Sequence, residues 1–297
     1  MTASITQQRQ QALEKRYGMQ MPNVAGADWP PLLSALLLEW RSTRAFLDLA
    51  VSDDELRTVV AAAQSAATSS NLQAWSVVTV REAALKARLA GLVGKQRHIE
   101  QAPLRRVFVA DLRRPRALED YVGSPATALD YFESFVAAII DIALTGQNAA
   151  TAALGLGRCF IGAMHDHPEQ VANALALPPE SIAVLGLLVG WPDPAVASEV
   201  KIRLAGDIVR HIDQYQPFDS VAPAGYDGVM RRSNEVSVSA QRTGETRPLR
   251  DEALERGRRI SAANRRDKAA ERVSGPEALG GRRRLLDAGR ACSFRLK

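Results

Sequence analysis

Hydrophobic positions along the chain alternate between helical spacing and short β-branched runs. Helical spacing predicts helices at residues 1–20, 31–39, 51–65, 82–92 and 129–154, the last Ala-rich and apolar around most of its circumference. Short apolar runs predict buried strands at residues 75–80, 107–110, 159–163 and 182–189. Ser52 and Glu55 form a capping-box pattern at the start of the 51–65 helix. The uneven intervals between strands favour an α+β layer structure over a regular doubly wound sheet.

Three parts of the chain differ in composition and predict its domain organisation. Residues 1–30 combine a polar helix with a Pro- and Gly-containing link, residues 31–218 hold the apolar elements, and residues 219–297 alternate polar stretches with basic helical patterns. Residues 1–230 carry 20 Lys+Arg against 24 Asp+Glu, a net charge of −4, whereas residues 231–297 carry +9. The basic extension suits either nucleic-acid or anionic-surface binding, or a solvated arm with arginines near an anionic ligand. It contains no zinc-finger or RNA-binding motif.

Length and apolar runs bound the class of protein. The 297 residues suffice for a sizeable core. The longest apolar stretch, residues 135–157, is interrupted by Asp141, Gln147 and Asn148, so no membrane span is expected. The N-terminus lacks the basic-then-apolar layout of a secretory signal, which predicts a cytoplasmic location.

The sequence contains no strong motif for a metal site or a side-chain nucleophile. Cys159 lies in an apolar run outside any C-x-x-C pair and is interpreted as buried. The stretch His165-Asp166-His167 precedes a proline and is interpreted as a loop leading into a helix. Patterns of the G-x-S-x-G, P-loop and H-E-x-x-H types are absent. Gly155 and Gly157 follow a helix rather than a strand, which indicates a helix end rather than a Rossmann turn.

An arginine- and hydroxyl-rich segment, Arg41-Ser42-Thr43-Arg44-Ala45-Phe46, is the strongest candidate for ligand binding. It lies in the turn before the 51–65 helix, where guanidinium, hydroxyl and backbone N–H groups suit a phosphate or another anion. Lys201 and Arg203 place two further cations on one face of an extended segment predicted at residues 200–218, because side chains at i and i+2 point the same way. Together the two clusters would give a phosphate three or four positive partners.

Three other segments lie at the edges of predicted elements. Residues 68–73 (TSSNLQ) offer hydroxyls and amides between a helix and a strand, and residues 95–98 (KQRH) form a polar turn. Residues 160–163 (FIGA) end a strand at a glycine, where backbone can approach a flat ligand closely.

These segments together resemble the FMN-dependent nitroreductase family, and within it the larger NADPH-preferring branch of oxygen-insensitive nitroreductases and flavin reductases. The resemblance covers residues 35–218 and extends more loosely to residue 250. The matching pieces are RSTRAF (41–46), ATSSNLQ (67–73), GKQRHIEQAP (94–103), GQNAATAALGLG (146–157), FIGA (160–163), GLLVGWP (186–192), KIRL (201–204) and QYQP (214–217). Each piece is weak singly, and the order and spacing make the set specific.

The resemblance implies a role for each matching residue. Arg41, Ser42, Lys201 and Arg203 would bind the FMN phosphate. Arg44 and Gln96 would lie at the pyrimidine edge of the flavin, whereas Ser69, Ser70 and Asn71 would line the flavin of the other subunit. Phe160, Ile161, Gly162 and Ala163 would run beside the isoalloxazine ring. Arg231 and Arg232 fall where this branch places an arginine for NADPH.

The resemblance also implies the fold and the activity. The fold would be α+β and nitroreductase-like, with a central mixed β-sheet surrounded by helices, and the homodimer would have interleaved C-terminal arms and a main dimer helix at residues 125–157. The activity would be a two-electron, ping-pong reduction of nitroaromatics, quinones or flavins by NADPH with FMN as cofactor. Alternatives are flavin fragmentation or reductive dehalogenation on the same fold, and nucleic-acid or anionic-surface binding through the basic extension.

Two positions depart from the family pattern. The family often has two glycines where this chain has Gly162 and Ala163, so one methyl group would narrow the approach to the flavin N5. Asn71 stands where the family often has an aromatic residue, so stacking against the electron acceptor would differ.

Overall fold

Residues 41–198 form a four-stranded β-sheet with helices on both faces in a computed structural model of the chain. The structure describes residues 5–20, 34–93, 97–153 and 155–217, together with Tyr226, Gly228 and Val229. Contacts divide the described residues into two units, residues 41–198 and a second unit built from residues 5–20, 34–40 and 199 onward. Each unit is described by itself.

The sheet is antiparallel throughout its described strands. The strands are β1 (Trp75–Val80), β2 (Leu104–Asp111), β3 (Gly157–Ile161) and β4 (Ser181–Gly190), and their order is β1-β2-β4-β3. A mixed sheet was expected, and the described strand pairs correct that detail. Strand direction depends on the path of the connecting helices, which the hydrophobic pattern does not encode.

The helices of this unit connect and cover the strands. They are α2 (Asp53–Gln64), α3 (Ala83–Leu92), α4 (Arg97–Gln101), α5 (Arg113–Val122), α6 (Phe132–Ala152) and α7 (Pro168–Ala174), with 3₁₀ turns at Ser69–Asn71, Thr127–Asp130 and Ala163–His165. The predicted capping box is confirmed at the start of α2, where Ser52 and Glu55 bond reciprocally. The predicted left-handed glycine is confirmed at Gly155, with a φ of +76° just after α6.

Two layers of side chains bury the sheet. On one face, α3, α4 and α7 supply Leu89, Val93, Ile99 and Val171 to a core shared with sheet residues such as Val107. On the other face, α6 packs against β1, β2 and β4, and α2 packs against α6. A Cβ added at Gly146 of α6 would lie 3.0 Å from a methyl group of Leu185 on β4, so the small residue permits the close approach of helix and sheet.

Helix α6 is long and apolar enough, by length and composition, to cross a membrane. One face of the helix is nevertheless buried inside the fold and includes Phe135, Ile142 and the carboxylate of Asp141. The apolar residues of this buried face are therefore accounted for by packing inside the fold.

The second unit contains less regular structure. Helix α1 (Ile5–Tyr17) confirms the predicted polar N-terminal helix, and the apolar segment expected as a helix at residues 31–39 has one π-helical turn at Ser34–Leu38. The extended segment expected at residues 200–218 is interrupted by the short helix α8 (Gly206–Val209). Ile202 and Val229 form a small buried cluster with Tyr226.

Candidate functional site

The Arg41–Arg44 segment runs beside the start of β3. The backbone N–H of Thr43 donates to the carbonyl of Arg158 at 2.8 Å, and the Thr43 side chain is buried against Gly157. A Cβ at Gly157 would lie 2.6 Å from Cγ2 of Thr43, so the glycine is what lets the two backbones approach. With Thr43 turned inward, Arg41 and Arg44 on either side remain exposed and available to a ligand.

Hydrogen bonds beyond β4 hold the rest of this segment. The N–H of Leu47 donates to the carbonyl of Trp191 at 2.8 Å, and the N–H of Asp193 donates to the carbonyl of Ala45 at 3.1 Å. The segment is thus fixed by its backbone along the sheet, and the exposed arginine side chains extend from a rigid support.

Arg158 brings a third guanidinium group to this edge of the sheet. Its Nη1 donates to the carbonyl of Ala153 at 3.1 Å, where it satisfies a carbonyl at the end of α6. Burial, and then the charge of Arg41, lower the pKa of Arg158 below its ordinary value. Two like charges held close together favour an anion between or beside them.

The positive charge of Arg44 influences the pKa values of His98 and Cys159. Burial, and then the charge of Arg44, lower the pKa of His98, which disfavours the protonated imidazole. Burial raises the pKa of the Cys159 thiol, against the opposing effects of Arg44 and of a hydrogen bond from Ser42. The thiol is buried. Its raised pKa disfavours the thiolate, which is the reactive form of cysteine.

The end of β3 presents backbone to open space. Phe160 and Ile161 end the strand, and Ala163 begins the following 3₁₀ turn, so the strand predicted at residues 159–163 stops two residues early. Gly162 is exposed, and a Cβ added there would meet no atom within 4 Å. The space beside this glycine is of the kind a flat ligand needs.

The polar loop before β1 is anchored to a buried carboxylate. Asp141, on the buried face of α6, accepts hydrogen bonds from the Thr68 hydroxyl at 2.7 Å, from the Ser69 N–H at 3.3 Å and from the Ala74 N–H at 3.2 Å. These bonds satisfy a carboxylate that is 1% exposed.

The same loop stores backbone strain. Ser70, Asn71 and Gln73 have φ values of 48°, 55° and 49°, in the left-handed region that non-glycine residues rarely adopt. Arg114 holds the end of the loop by donating to the carbonyls of Gln73 and Trp75. Three such residues within four positions mark a loop held in one conformation by its surroundings.

The structure brings together part of the predicted set of site residues. Arg41, Ser42 and Arg44 lie along β3, whose last residues Phe160 and Ile161 lead into Gly162 and Ala163. The Ser69–Asn71 loop is held separately by α6. Lys201 and Arg203 belong to the second unit, and Gln96, Arg231 and Arg232 lie outside the described residues.

Sequence reasoning did not single out Arg158, His98 or Asp141 as functional residues. Arg158 could have been noticed as a cation inside a short apolar strand, and Asp141 as a carboxylate inside an otherwise apolar helix, since buried charges are paired. Within the described ranges, no three His, Cys, Asp or Glu side chains have the geometry of a metal site.

A comparison with protein families places this site in a known fold. The family model described as "Nitroreductase family" matches residues 37–191, which include Arg41–Arg44, the Ser69–Asn71 loop and Phe160–Ala163. The chain belongs to the nitroreductase family. The family and the nitroreductase-like α+β fold that the sequence predicted are thereby confirmed.

Individual relatives agree with this membership. The oxygen-insensitive NADPH nitroreductase of Salmonella typhimurium is 38% identical over 194 residues, which are 65% of this chain and 78% of that protein. The FMN reductase (NADPH) of Bacillus subtilis is 36% identical over 182 residues, which are 60% of this chain and 72% of that protein. Among solved structures, B. megaterium NfrA2 has a TM-score of 0.74 and 27% identity, over 90% of this chain and 99% of NfrA2.

Proposed function

We propose that this nitroreductase is an NADPH-dependent FMN oxidoreductase that reduces small-molecule acceptors by two electrons at a time. The proposal is carried by the exposed arginines that the structure fixes along β3, within a family whose relatives are an NADPH nitroreductase and an NADPH-dependent FMN reductase. Nitroaromatics, quinones and flavins are the acceptor classes to test. A cytoplasmic location stays a prediction.

The residues along β3 fit a phosphate-bearing flavin. The charge of Arg41 helps to lower the pKa of Arg158, and neither Arg41 nor Arg44 forms an ion pair with a described carboxylate. Unpaired guanidinium groups next to the Ser42 hydroxyl suit a phosphate dianion. The open space beside Gly162 suits a flat ring.

Each part of this surface has a distinct proposed role. FMN, when bound, supplies the redox chemistry by accepting a hydride from NADPH and passing two electrons to the acceptor. Arg41 and Ser42 bind its phosphate, and Lys201 and Arg203 keep the phosphate role that the family resemblance implies. Arg44 stabilises negative charge on the pyrimidine edge of the reduced ring, and a preorganised donor of this kind contributes about 3 kcal/mol.

The lowered pKa of His98 supports the assignment of Arg44. A protonated imidazole would add a second positive charge near Arg44. Because burial and Arg44 both lower the His98 pKa, the positive charge at this position is concentrated on Arg44.

A second copy of the chain is the proposed partner of α6. Val136, Ile140 and Leu144 recur every four residues on α6 and are 40%, 54% and 42% exposed, whereas Asp141 on the same helix is 1% exposed. An apolar stripe of this kind on a long helix suits a helix–helix interface between subunits. Ile140→Asp should convert a dimer to a monomer in light scattering, whereas Leu118→Asp on α5, at a position that is 54% exposed, should not.

The proposal is tested with the purified protein. The protein should be yellow or should take up added FMN, and it should oxidise NADPH only when an acceptor is present. Single-turnover measurements of the reduced protein against nitroaromatic, quinone and flavin acceptors would rank the acceptors. A colourless protein that binds no added flavin would refute the proposed function.

The proposed NADPH role of Arg231 is tested by cofactor selectivity. Arg231→Ala should raise KM for NADPH more than KM for NADH, because an arginine there would contact the 2′-phosphate that only NADPH carries. Equal effects on both would assign the 2′-phosphate to another residue, with Arg232→Ala as the next variant.

A further inference from the structure

Helix α1 carries an arginine on its buried face. Ala12 and Arg16 lie four residues apart, one turn of the helix, and are 3% and 7% exposed. The helix is otherwise polar and precedes residues 37–191, the part of the chain that the family model matches. A short polar helix whose buried face includes a cation is held by specific hydrogen bonds more than by apolar burial.

Arg16 bonds to backbone carbonyls of two separate segments. Its Nη1 donates to the carbonyl of Lys201 at 3.0 Å. Its Nη2 donates to the carbonyls of Leu37 at 3.3 Å, Leu38, and Trp40 at 3.1 Å, at the end of the π-helical turn that leads directly to Arg41 in the sequence. A guanidinium group with several fixed N–H donors is suited to gathering carbonyls in this way.

The contact with the Lys201–Arg203 segment is reciprocal. Arg16 donates to the Lys201 carbonyl through its side chain, and the backbone N–H of Arg203 donates to the Arg16 carbonyl at 3.0 Å. Just beyond α1, Gly18 has a φ of +66°, and a Cβ there would lie 2.9 Å from Cδ1 of Ile202. The last turn of α1 and the Lys201–Arg203 segment are therefore joined through both backbone and side chain.

The charges in this contact lack a described counter-ion. Burial, and then the charge of Arg203, lower the pKa of Arg16. Arg203 Nη1 bonds to the carbonyls of Lys201 at 3.1 Å and Ile202 at 3.3 Å. Holding two guanidinium groups close to each other is unfavourable unless an anion offsets their repulsion, and Lys201 adds a third cation to the same segment.

We propose that Arg16 is a positioning residue, which holds the Lys201–Arg203 segment in the conformation that presents its cations to the flavin phosphate. This inference rests on the proposed FMN function. It assigns a role to a helix that precedes the matched part of the chain, and it predicts that the helix affects recognition of the phosphate rather than of the flavin ring.

The test compares two flavins that differ by the phosphate. Apo-protein is titrated with FMN and with riboflavin, which lacks the phosphate, and binding is followed by quenching of flavin fluorescence. Arg16→Gln should weaken FMN binding about tenfold or more and riboflavin binding less than about threefold. Lys15→Gln removes the same charge from an exposed position on the same helix and should leave both affinities unchanged.

A purely structural role of Arg16 predicts a different result. If Arg16 only holds α1 on the fold, Arg16→Gln should weaken both flavins equally or neither of them, and either result would overturn the proposal. If Arg16→Gln does not fold, Arg16→Lys keeps the charge while losing the fork of donors. That variant should still show a larger loss for FMN than for riboflavin, and a selectivity equal to that of the wild type would overturn the proposal.

A double-mutant cycle tests whether Arg16 acts through the segment. In an Arg203→Gln background, Arg16→Gln should cost less than about threefold further in FMN affinity, because the segment has already lost one of the two cations that Arg16 positions. A full additional loss would show that Arg16 acts independently and would overturn the proposal. Wild-type protein that binds neither flavin would instead refute the proposed FMN function, so the two failures are distinguishable.

Discussion

The Thr68 hydroxyl donates a 2.7 Å hydrogen bond to the carboxylate of Asp141, 73 positions away in the sequence. The Thr68 oxygen in turn accepts from the backbone N–H of Gln73 at 3.0 Å, so one side chain links the buried helix α6 to the far end of the loop. The strained residues Ser70 and Asn71 lie between these two points. The loop that the family resemblance assigns to the flavin of the other subunit is thus shaped by a carboxylate that never reaches the surface.

Thr68→Val is expected to loosen this loop while keeping side-chain volume. Loss of the hydroxyl removes one donor to Asp141 and the acceptor for Gln73, which should lower the free energy of unfolding by about 1–3 kcal/mol. Turnover should fall further than stability accounts for if the loop lines the flavin site. Urea unfolding and steady-state turnover with NADPH measure the two effects.

The matched control is Thr58→Val on α2, where the hydroxyl donates to the exposed carbonyl of Asp54 one turn earlier on the same helix. That change should alter stability by less than about 0.5 kcal/mol and leave turnover unchanged. Equal effects of the two substitutions would contradict the role of the Thr68–Asp141 bond.

Gly162→Ala separates a ligand effect from an effect on folding. Gly162 has a φ of −87°, which any residue can adopt, and an added Cβ would meet no protein atom within 4 Å. The variant should therefore keep the stability of the wild type as apo-protein. If a flavin ring occupies the open space, FMN affinity should nevertheless fall by about tenfold, because the methyl group takes the place of ring contacts.

Gly91→Ala provides the control, since an added Cβ at Gly91 of α3 also meets nothing within 4 Å. This substitution should stabilise the helix by up to about 1 kcal/mol and leave flavin affinity unchanged. Unchanged FMN affinity in Gly162→Ala would place the flavin ring elsewhere.

Site residues that are clustered in the sequence could be predicted from it. Their hydrogen-bonding partners from distant parts of the chain could not, because only the fold brings them close. Arg41 and Arg44 could be chosen because two guanidinium groups and a hydroxyl lie within four residues. Asp141 showed only as an interruption of an apolar run, because two of its three donors are backbone N–H groups. Arg158 bonds to the Ala153 carbonyl, and a carbonyl acceptor leaves no trace in a sequence.

The boundaries of helices were likewise predicted correctly where local side chains determine them and incorrectly where tertiary packing does. Ser52 and Glu55 predicted the start of α2 correctly, because the side chains of these two residues form the capping box and are visible in the sequence. The start of α6 was placed at residue 129, three residues too early, because Thr127–Asp130 forms a separate 3₁₀ turn before Phe132. Whether a short apolar stretch continues a helix or makes a separate turn depends on tertiary packing.

Acid should destabilise the protein through His98. Its folded pKa lies below the ordinary value of 6.5, so below that pH the unfolded chain binds a proton more readily than the folded chain. The free energy of unfolding should therefore fall as the pH drops from 6.5 through the folded pKa. Arg44→Gln removes the smaller of the two causes of the shift, so the His98 pKa should rise and the acid-dependent loss should shrink.

NMR titration of the His98 ring measures the pKa directly, and urea unfolding at about pH 7.5 and about pH 5.5 measures the linked stability. Arg88→Gln removes an exposed arginine from α3 and should leave the His98 titration unchanged. An unaltered His98 pKa in Arg44→Gln would show that burial alone causes the shift.

Arg106→Met is expected to stabilise the protein. Arg106 on β2 is 1% exposed, burial lowers its pKa to about 10, and its Nε and Nη1 find no hydrogen-bond partner among the described residues. Its one bond, from Nη2 to the carbonyl of Leu56, is long at 3.4 Å. Since a buried cation without full pairing is unfavourable and Met fills a similar volume, the free energy of unfolding should rise by about 1 kcal/mol or more.

Arg105 offers a matched comparison on the neighbouring position of the same strand. It is equally buried, and burial likewise lowers its pKa to about 10, but Glu100 opposes that shift and the Lys86 carbonyl accepts from its Nη1. Arg105→Met should therefore give a smaller gain than Arg106→Met in chemical unfolding of the flavin-free protein. A loss of stability in Arg106→Met would contradict this prediction and would mean that the buried guanidinium contributes to stability.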